Sequence, residues 1–454
     1  MAFNSSERQS SAEVPDERYD RQMRIPGWNQ EALARARLGV VGDDPWLTGL
    51  FLAAAAALGL NRITVVAPGI DPRLAAAARG LNPQLDLTFF PGFLSHSLLE
   101  DLLWGSTVLI DLGHHALAAK LLLTLAHREG LPLVRGYDFE EDGVAGVRLF
   151  TYQKGREWRD LLAVLPRVQL PCRYRGDPVL ALITAGLALE ETKKVLLGEP
   201  VTPELVSYSR ATGDIPETSI FQTSGGRGER AGDRGSGPSS RRFLSRSSAI
   251  ALAGAGALGN FVALGLAALG FGNLTFFDPD PVEVTNLNRQ ILFWEAVGKP
   301  KAGALAGKIQ EWFGVDARAR PGYVTRATDL SEFAVVFDCT DNFASRIVLS
   351  EKCREGGQLL ISGGTGVAAG QVVVYDPDRG GPTPAELLGL YDLVGERDVD
   401  APARRRASCV YTPEPAVIMT NQLIGGLMVD AWRRLLAGEV PRNIFYDAQG
   451  ERML

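Results

Sequence analysis

Ala249-Ile-Ala-Leu-Ala253 runs without a break into Gly254-Ala-Gly256-Ala-Leu-Gly259, and an apolar, helix-like stretch continues to Leu269. A short apolar strand, a glycine turn and a helix, in that order, open a βαβ unit. The glycines let backbone N–H groups approach a phosphate closely at the positive end of the helix. Close packing of strand on helix selects the same glycines, so the spacing alone is weak evidence. What gives it weight is the next segment, a strand candidate at Asn273–Asp278 that continues as Pro-Asp-Pro-Val-Glu-Val-Thr-Asn286-Leu-Asn-Arg289-Gln290. Asp278 ends that strand where a carboxylate can accept hydrogen bonds from ribose hydroxyls. Arg289 and Lys301 supply positive charge of the kind that holds and polarises a triphosphate. After the strand candidate Val335–Asp338, Asp341-Asn342 places a carboxylate suited to Mg²⁺.

The same plan recurs upstream. Leu38–Val41 runs into Gly42-Asp-Asp-Pro45-Trp46-Leu and the apolar helix pattern Leu47–Leu58, and Arg62–Ala67 supplies a second strand. Farther on, Val108–Asp111 parallels Val335–Asp338, and Gly143–Tyr152 parallels Gly366–Tyr375. Lys193-Lys-Val-Leu-Leu-Gly-Glu-Pro200 parallels Arg433-Arg-Leu-Leu-Ala-Gly-Glu-Val440. So many matches in one order indicate a tandem duplication. Strands alternating with helical stretches predict an α/β protein with two doubly wound, largely parallel sheets. The first unit is read as residues 1–212 and the second as 243–454. Residues 213–242, rich in Gly, Ser, Arg and Glu, join them as a flexible, solvated linker.

Composition agrees with that architecture and excludes others. The chain has 454 residues, room for two to three domains, with 46% hydrophobic and 22% charged residues. Its 47 Lys and Arg against 53 Asp and Glu leave a net charge of −6, which argues against an electrostatic grip on nucleic acid. The apolar run Leu50–Leu60 is far below the roughly 20 residues that span a bilayer. The polar N-terminus lacks the apolar core of a signal peptide. Four cysteines, none in a C-x-x-C pair, suit neither a disulfide framework nor a structural zinc site, so zinc is not expected. A cytoplasmic protein with reduced thiols is the expectation, with neither membrane nor nucleic acid as a partner.

Gly254–Gly259, Asp278, Asn286-Leu-Asn-Arg289-Gln290, Lys301 and Asp341-Asn342 with Arg346 resemble the adenylation domain of ubiquitin-activating enzymes. The sulfur-carrier adenylyltransferases of molybdopterin and thiamine synthesis share that domain. The resemblance covers about a hundred residues, in order and at near-family spacing. It implies a nucleotide site that binds ATP through these glycines, Asp278, Asn286, Arg289, Gln290, Lys301, Asp341 and Asn342, with Asp341 placing Mg²⁺. Arg18-Tyr-Asp-Arg21-Gln-Met-Arg24 resembles the segment that sends an arginine across to the ATP phosphates of the partner subunit. Otherwise the first unit lacks the site: Pro45 and Trp46 interrupt the glycine loop, and Ala67 replaces the ribose acid. His114 and His115 stand where Asp341 and Asn342 stand in the second unit and are read as a loop remnant rather than metal ligands. The implied form is a single chain in which an inactive unit faces an active one as an internal pseudo-dimer. Its compact build resembles bacterial members.

The family's chemistry implies a substrate, a small ubiquitin-like protein whose C-terminal glycine is adenylated, and in many members a thioester passed to a conjugating enzyme. Cys409 lies in Arg404-Arg-Arg-Ala-Ser-Cys409-Val-Tyr-Thr-Pro-Glu-Pro415, just before the helix pattern Ala416–Leu436, where compact members place their nucleophile. The arginines and the helix N-terminus favour its thiolate. Cys339 reads as core and Cys353 as a packing or surface residue of a helix. Cys172 precedes Pro178 by the interval that separates Cys409 from Pro415, so a structural cysteine in both units is the alternative. The glycine-rich Gly363–Gln371 is implied to run beside the adenylate, although a turn between strands explains its first glycines equally well. Other readings are sulfur-carrier activation without a thioester, a scaffold that binds nucleotide or a ubiquitin-like protein, and an NAD-dependent oxidoreductase.

Overall fold

In the computed structural model, residues 16–155, 165–172, 174–209, 221–224, 244–394 and 414–449 are described. Two α/β units are built on sheets of one strand order. The first runs through β1 (Arg37–Gly42), β2 (Arg62–Ala67), β3 (Asp86–Pro91), β4 (Val108–Leu112), β5 (Leu133–Glu141), β6 (Val144–Tyr152) and β7 (Val206–Ser209). The second comprises β8 (Phe221–Ser224), β9 (Ile250–Ala253), β10 (Leu274–Phe277), β11 (Ala317–Arg320), β12 (Val335–Asp338), β13 (Leu359–Thr365), β14 (Ala369–Tyr375) and β15 (Asn443–Asp447).

Across the first sheet the order is β3-β2-β1-β4-β5-β6-β7, and across the second β11-β10-β9-β12-β13-β14-β15-β8. The first five strands in each order pair in parallel and the later ones antiparallel, so the second sheet repeats the first strand for strand and adds β8. Two Rossmann-like units in tandem are therefore the fold, as the repeated pattern predicts.

One detail corrects the sequence reading. Phe221–Ser224, inside the stretch taken as a flexible linker, pairs with β15 at the edge of the second sheet. Composition hides this, because an edge strand needs only backbone N–H and C=O groups and little apolar burial. Beyond β14 two short helices form, at Pro384–Leu387 and Leu390–Leu393. There Thr383 and Glu386 form a reciprocal capping box, a pattern legible in the sequence but not singled out.

The helices start and stop where local chemistry dictates. Asp44 caps the helix Pro45–Leu58, accepting from Trp46 N at 2.7 Å; Pro45 fills the first turn, and Gly59 ends it at φ 95°. Leu47 to Leu58 of that helix are all buried, so it lies wholly between layers rather than on the surface. The units meet through the helices Pro178–Leu197 and Ile418–Leu436, the C-terminal helices of the two repeats. Glycines set how near they come. A Cβ on Gly186 would lie 3.1 Å from Leu423 N, and one on Gly426 would lie 2.7 Å from Ile183 Cγ1. Charged groups close the same seam: Arg433 pairs with Asp177 of the first unit and, at 2.5 Å, with Asp430, while Lys194 Nζ donates to the Ala448 carbonyl at 2.5 Å. Tyr208 Oη also donates to Asp430 at 2.5 Å.

Candidate active site

The cleft of the second unit opens at the carboxyl ends of β9, β10 and β12, the switch point where α/β sheets bind ligands. It takes in about 400 Å³, part of it open to solvent, and is lined by Gly254, Asp278, Asp280, Tyr323, Thr340, Asp341, Asn342 and Ser345, among others. Four residues read from the sequence as nucleotide-binding, Gly254, Asp278, Asp341 and Asn342, thus come together on one surface.

Each is held there for a physical reason. Gly254 has φ 97°, and a Cβ on it would lie 2.6 Å from the Cys339 carbonyl oxygen, so only glycine lets the loop cross the end of β12. Gly259 stands against Gly254 itself, where a Cβ would meet the Gly254 carbonyl at 2.1 Å; its visible task is packing. Gly256, at the N-cap of the helix Ala257–Ala268, is different. The nearest atom to its Cβ position is Gln290 Nε2 at 3.9 Å, which leaves room for a ligand against the first turn.

Asp278 is buried, and its carboxylate accepts from Ala255 N and Asp280 N, both at 2.8 Å. Burial raises its pKa above the usual carboxylate value, while Lys301 and the two backbone donors pull it back. The glycine loop and the ribose acid are therefore one hydrogen-bonded unit. Lys301 opens the helix Lys301–Phe313 and pairs with Asp280 at 3.2 Å, which sets its ammonium beside the cleft.

Asn286 and Asn342 carry structural tasks. Asn286 Oδ1 accepts from Glu283 N at 3.0 Å in a capping box, and Asn342 caps the helix Phe343–Gly356 through Ser345 N at 2.8 Å. Arg289 Nη1 donates to the Thr285 carbonyl at 2.8 Å and to Asn288 Oδ1 at 2.7 Å. Arg346 Nη2 donates to the Thr340 carbonyl at 2.9 Å and the Gly363 carbonyl at 2.7 Å, tying the Asp341 turn to β13.

Arg21 lies outside the cleft lining. It does reach across the two units, donating from Nη1 to the Glu414 carbonyl at 3.1 Å, just before the helix Ile418–Leu436. Cys409 falls outside the described residues. Cys339 and Cys353 are buried, and burial pushes the Cys339 thiol well above its ordinary value; Cys172 is exposed. The glycines of Gly363–Gln371 answer to packing. A Cβ on Gly363 would meet Met428 Sδ at 2.3 Å, and one on Gly370 would meet Ile424 at 2.6 Å, so both let the helix Ile418–Leu436 lie on the β13–β14 hairpin.

Whether these residues suit Mg·ATP is decided by their donor set. Among the described residues the buried Gln290 Oε1 finds no hydrogen-bond partner, an unusual state for a buried amide and one that a ligand hydroxyl or amine would resolve. Among the described residues no cluster of three or more His, Cys, Asp or Glu could hold a metal ion. One exposed carboxylate at the cleft, Asp341, matches Mg²⁺, which takes one or two protein carboxylates and completes its shell with phosphate oxygens and water. The arrangement fits a nucleotide triphosphate with its magnesium.

The corresponding place in the first unit is filled by protein. His114 is buried between Asp43 Oδ1, 2.6 Å from Nδ1, and Asp138 Oδ1, 2.9 Å from Nε2, and it stacks on Tyr174 at 3.6 Å between ring centroids. Burial opposes its charge, but the two carboxylates outweigh burial and raise its pKa to about 9. His115 caps the helix Ala116–Glu129 as Asn342 caps its counterpart. The sequence pairs His114 with Asp341 correctly by position. It gives no sign that Asp43 and Asp138, 95 residues apart, would enclose the imidazole.

Residues 237–452 match the model of the ThiF family. The chain is 38% identical over 140 residues to the adenylyltransferase and sulfurtransferase MOCS3 of Arabidopsis thaliana, covering 30% of each chain. It is 35% identical over 260 residues to MOCS3 of Sus scrofa, covering 54% of this chain and 48% of that one. The chain therefore spans less than half the length of these curated relatives. Among solved structures, E. coli MccB with ATP is similar at 20% identity, over 43% of this chain and 58% of that one, with a TM-score of 0.36.

Proposed function

We propose that the chain is an ATP-dependent adenylyltransferase acting on the C-terminal glycine of a small ubiquitin-like or sulfur-carrier protein. The observation that carries this reading is the single cleft in which Gly254, Asp278 and Asp341 converge, with Lys301 tied to its wall through Asp280. The names of the MOCS3 relatives support adenylyl transfer. The substrate carboxylate attacks the α-phosphorus, a P–O bond breaks and pyrophosphate leaves. Asp278 fixes the glycine loop and offers its remaining lone pairs to ribose. Arg289, Lys301 and, from the first unit, Arg21 stabilise charge on the phosphates and the departing pyrophosphate. Mg²⁺ held at Asp341 would neutralise phosphate charge.

A second step belongs to the same proposal. The Cys409 thiolate attacks the acyl carbon, AMP leaves, and the thioester is passed to a conjugating enzyme. Sulfur-carrier activation, ending in a thiocarboxylate, is the second reading, and the sulfurtransferase in the relatives' names favours it.

The test uses the full chain, Mg·ATP and candidate ubiquitin-like proteins ending in glycine. Pyrophosphate exchange that Asp278→Ala abolishes establishes adenylation. A reductant-sensitive band on a non-reducing gel, lost in Cys409→Ala while exchange persists, establishes the thioester. Exchange without the band selects the sulfur-carrier reading. No exchange with any such partner, together with no ATP binding, sinks the proposal.

A further inference from the structure

Gln22 and Asn288 are 266 residues apart in sequence, and both are fully buried where the two units meet. Both polar atoms of the Gln22 side chain are engaged. Its Nε2 donates to Gln30 Oε1 at 2.6 Å and to the Leu58 carbonyl at 2.9 Å, and its Oε1 accepts from Asn288 Nδ2 at 3.1 Å. Gln30 is itself held by Trp28 Nε1 at 3.0 Å and by the Leu58 carbonyl at 3.1 Å. The far end of Asn288 then accepts from Arg289 Nη1 at 2.7 Å.

This relay has one possible polarity. The Leu58 carbonyl only accepts, so the amide nitrogen of Gln22 must face it. A guanidinium only donates, so the oxygen of Asn288 must face Arg289. Between those ends each amide has one orientation, and flipping either would set two donors or two acceptors together in a buried site. The backbone of the first unit at Leu58 thereby dictates where one arm of Arg289, in the second unit, is anchored.

We propose that Gln22 is a positioning residue: acting through Asn288, it orients the Arg289 guanidinium for the triphosphate, so that the first unit sets the phosphate grip of the second. The proposal rests on the reading of Arg289 as a phosphate contact. It also gives the first unit a task in the chemistry beyond the single arginine expected from Arg21. Loss of Gln22 is expected to weaken interactions with the phosphates while leaving those with the nucleoside.

Calorimetric titration of the full chain with ATP and, separately, with adenosine tests this. Gln22→Met keeps the shape of the side chain without its hydrogen bonds. It should weaken ATP binding about tenfold, the scale of one misplaced charge-assisted hydrogen bond, and change adenosine binding less than about twofold. Asn288→Ala, which cuts the relay from the other side, should give the same selective loss and serves if Gln22→Met does not fold. In an Arg289→Ala background, Gln22→Met should add less than about a twofold change. Equal losses of ATP and adenosine, or a full effect of Gln22→Met without Arg289, would overturn the relay. If Arg289→Ala itself leaves ATP affinity where it was, the phosphate role of Arg289 falls first, and the proposal with it.

Discussion

His114 offers a sharp test of what holds the first unit together at the place that corresponds to the cleft of the second. Its imidazole is fully buried between Asp43 and Asp138, and its pKa is raised from 6.5 to about 9. At about 1.4 kcal/mol per pH unit, that rise corresponds to roughly 3 kcal/mol of folding stability. The size is reasonable for two buried charge-assisted hydrogen bonds after the desolvation of the ring is subtracted. The native state binds the proton more tightly than the unfolded chain. The stabilisation is therefore complete below pH 6.5 and is lost as pH rises through about 9.

Urea unfolding of the wild type and of His114→Gln, measured at intervals between pH 6 and pH 9.5, isolates the effect. The wild type should lose about 3 kcal/mol across that window relative to the variant. At pH 7 the variant should already be less stable by about 3–5 kcal/mol, because Asp43 and Asp138 keep their burial without a cation between them. Parallel pH profiles for the two proteins, or an imidazole resonance of His114 titrating near 6.5, would refute the reasoning.

Two further outcomes follow from the geometry. Gly254→Ala forces a Cβ into a left-handed conformation, costing about 1–2 kcal/mol, and against the Cys339 carbonyl at 2.6 Å. Thermal melting should fall by about 5 °C and ATP affinity with it, and an unchanged melt with unchanged ATP binding would show that the loop does not hold the cleft. Arg433→Met leaves Asp430 buried without its cation and cuts the bridge to Asp177 across the two units. Stability should drop by about 3–5 kcal/mol in denaturant unfolding, and an unmoved midpoint would mean that this seam contributes nothing to docking.

Periodicity and punctuation made most of the fold legible. The strand at Arg62–Ala67 is found where the apolar run places it, and the helix Ala257–Ala268 falls within the stretch running to Leu269. Such signals are local: a strand or helix announces itself through the spacing of its own apolar residues. β8 escaped because it is four residues long, lies in a polar stretch and gains its place only by pairing with β15. At the site, Gly254, Asp278, Asp341 and Asn342 were legible because each closes or follows a recognisable strand. Asp280, Thr340 and Tyr323 were not, since nothing in their neighbours marks them as facing one cleft.

The amino-acid sequence by itself determined that the chain holds two copies of one α/β plan, and that only the second keeps glycines, acid and basic residues in an order suited to a nucleotide. Those are properties of residue type and spacing, and they survive without knowledge of any contact. Tertiary structure alone decided what stands in the first unit at the place of the second unit's cleft and how the units depend on each other. A histidine closed between Asp43 and Asp138, and a relay from Leu58 through Gln22 and Asn288 to Arg289, join side chains far apart along the chain. Hydrogen bonds are directional and act over about 3 Å, so only the folded distance between two groups, and never their separation in sequence, tells whether they meet.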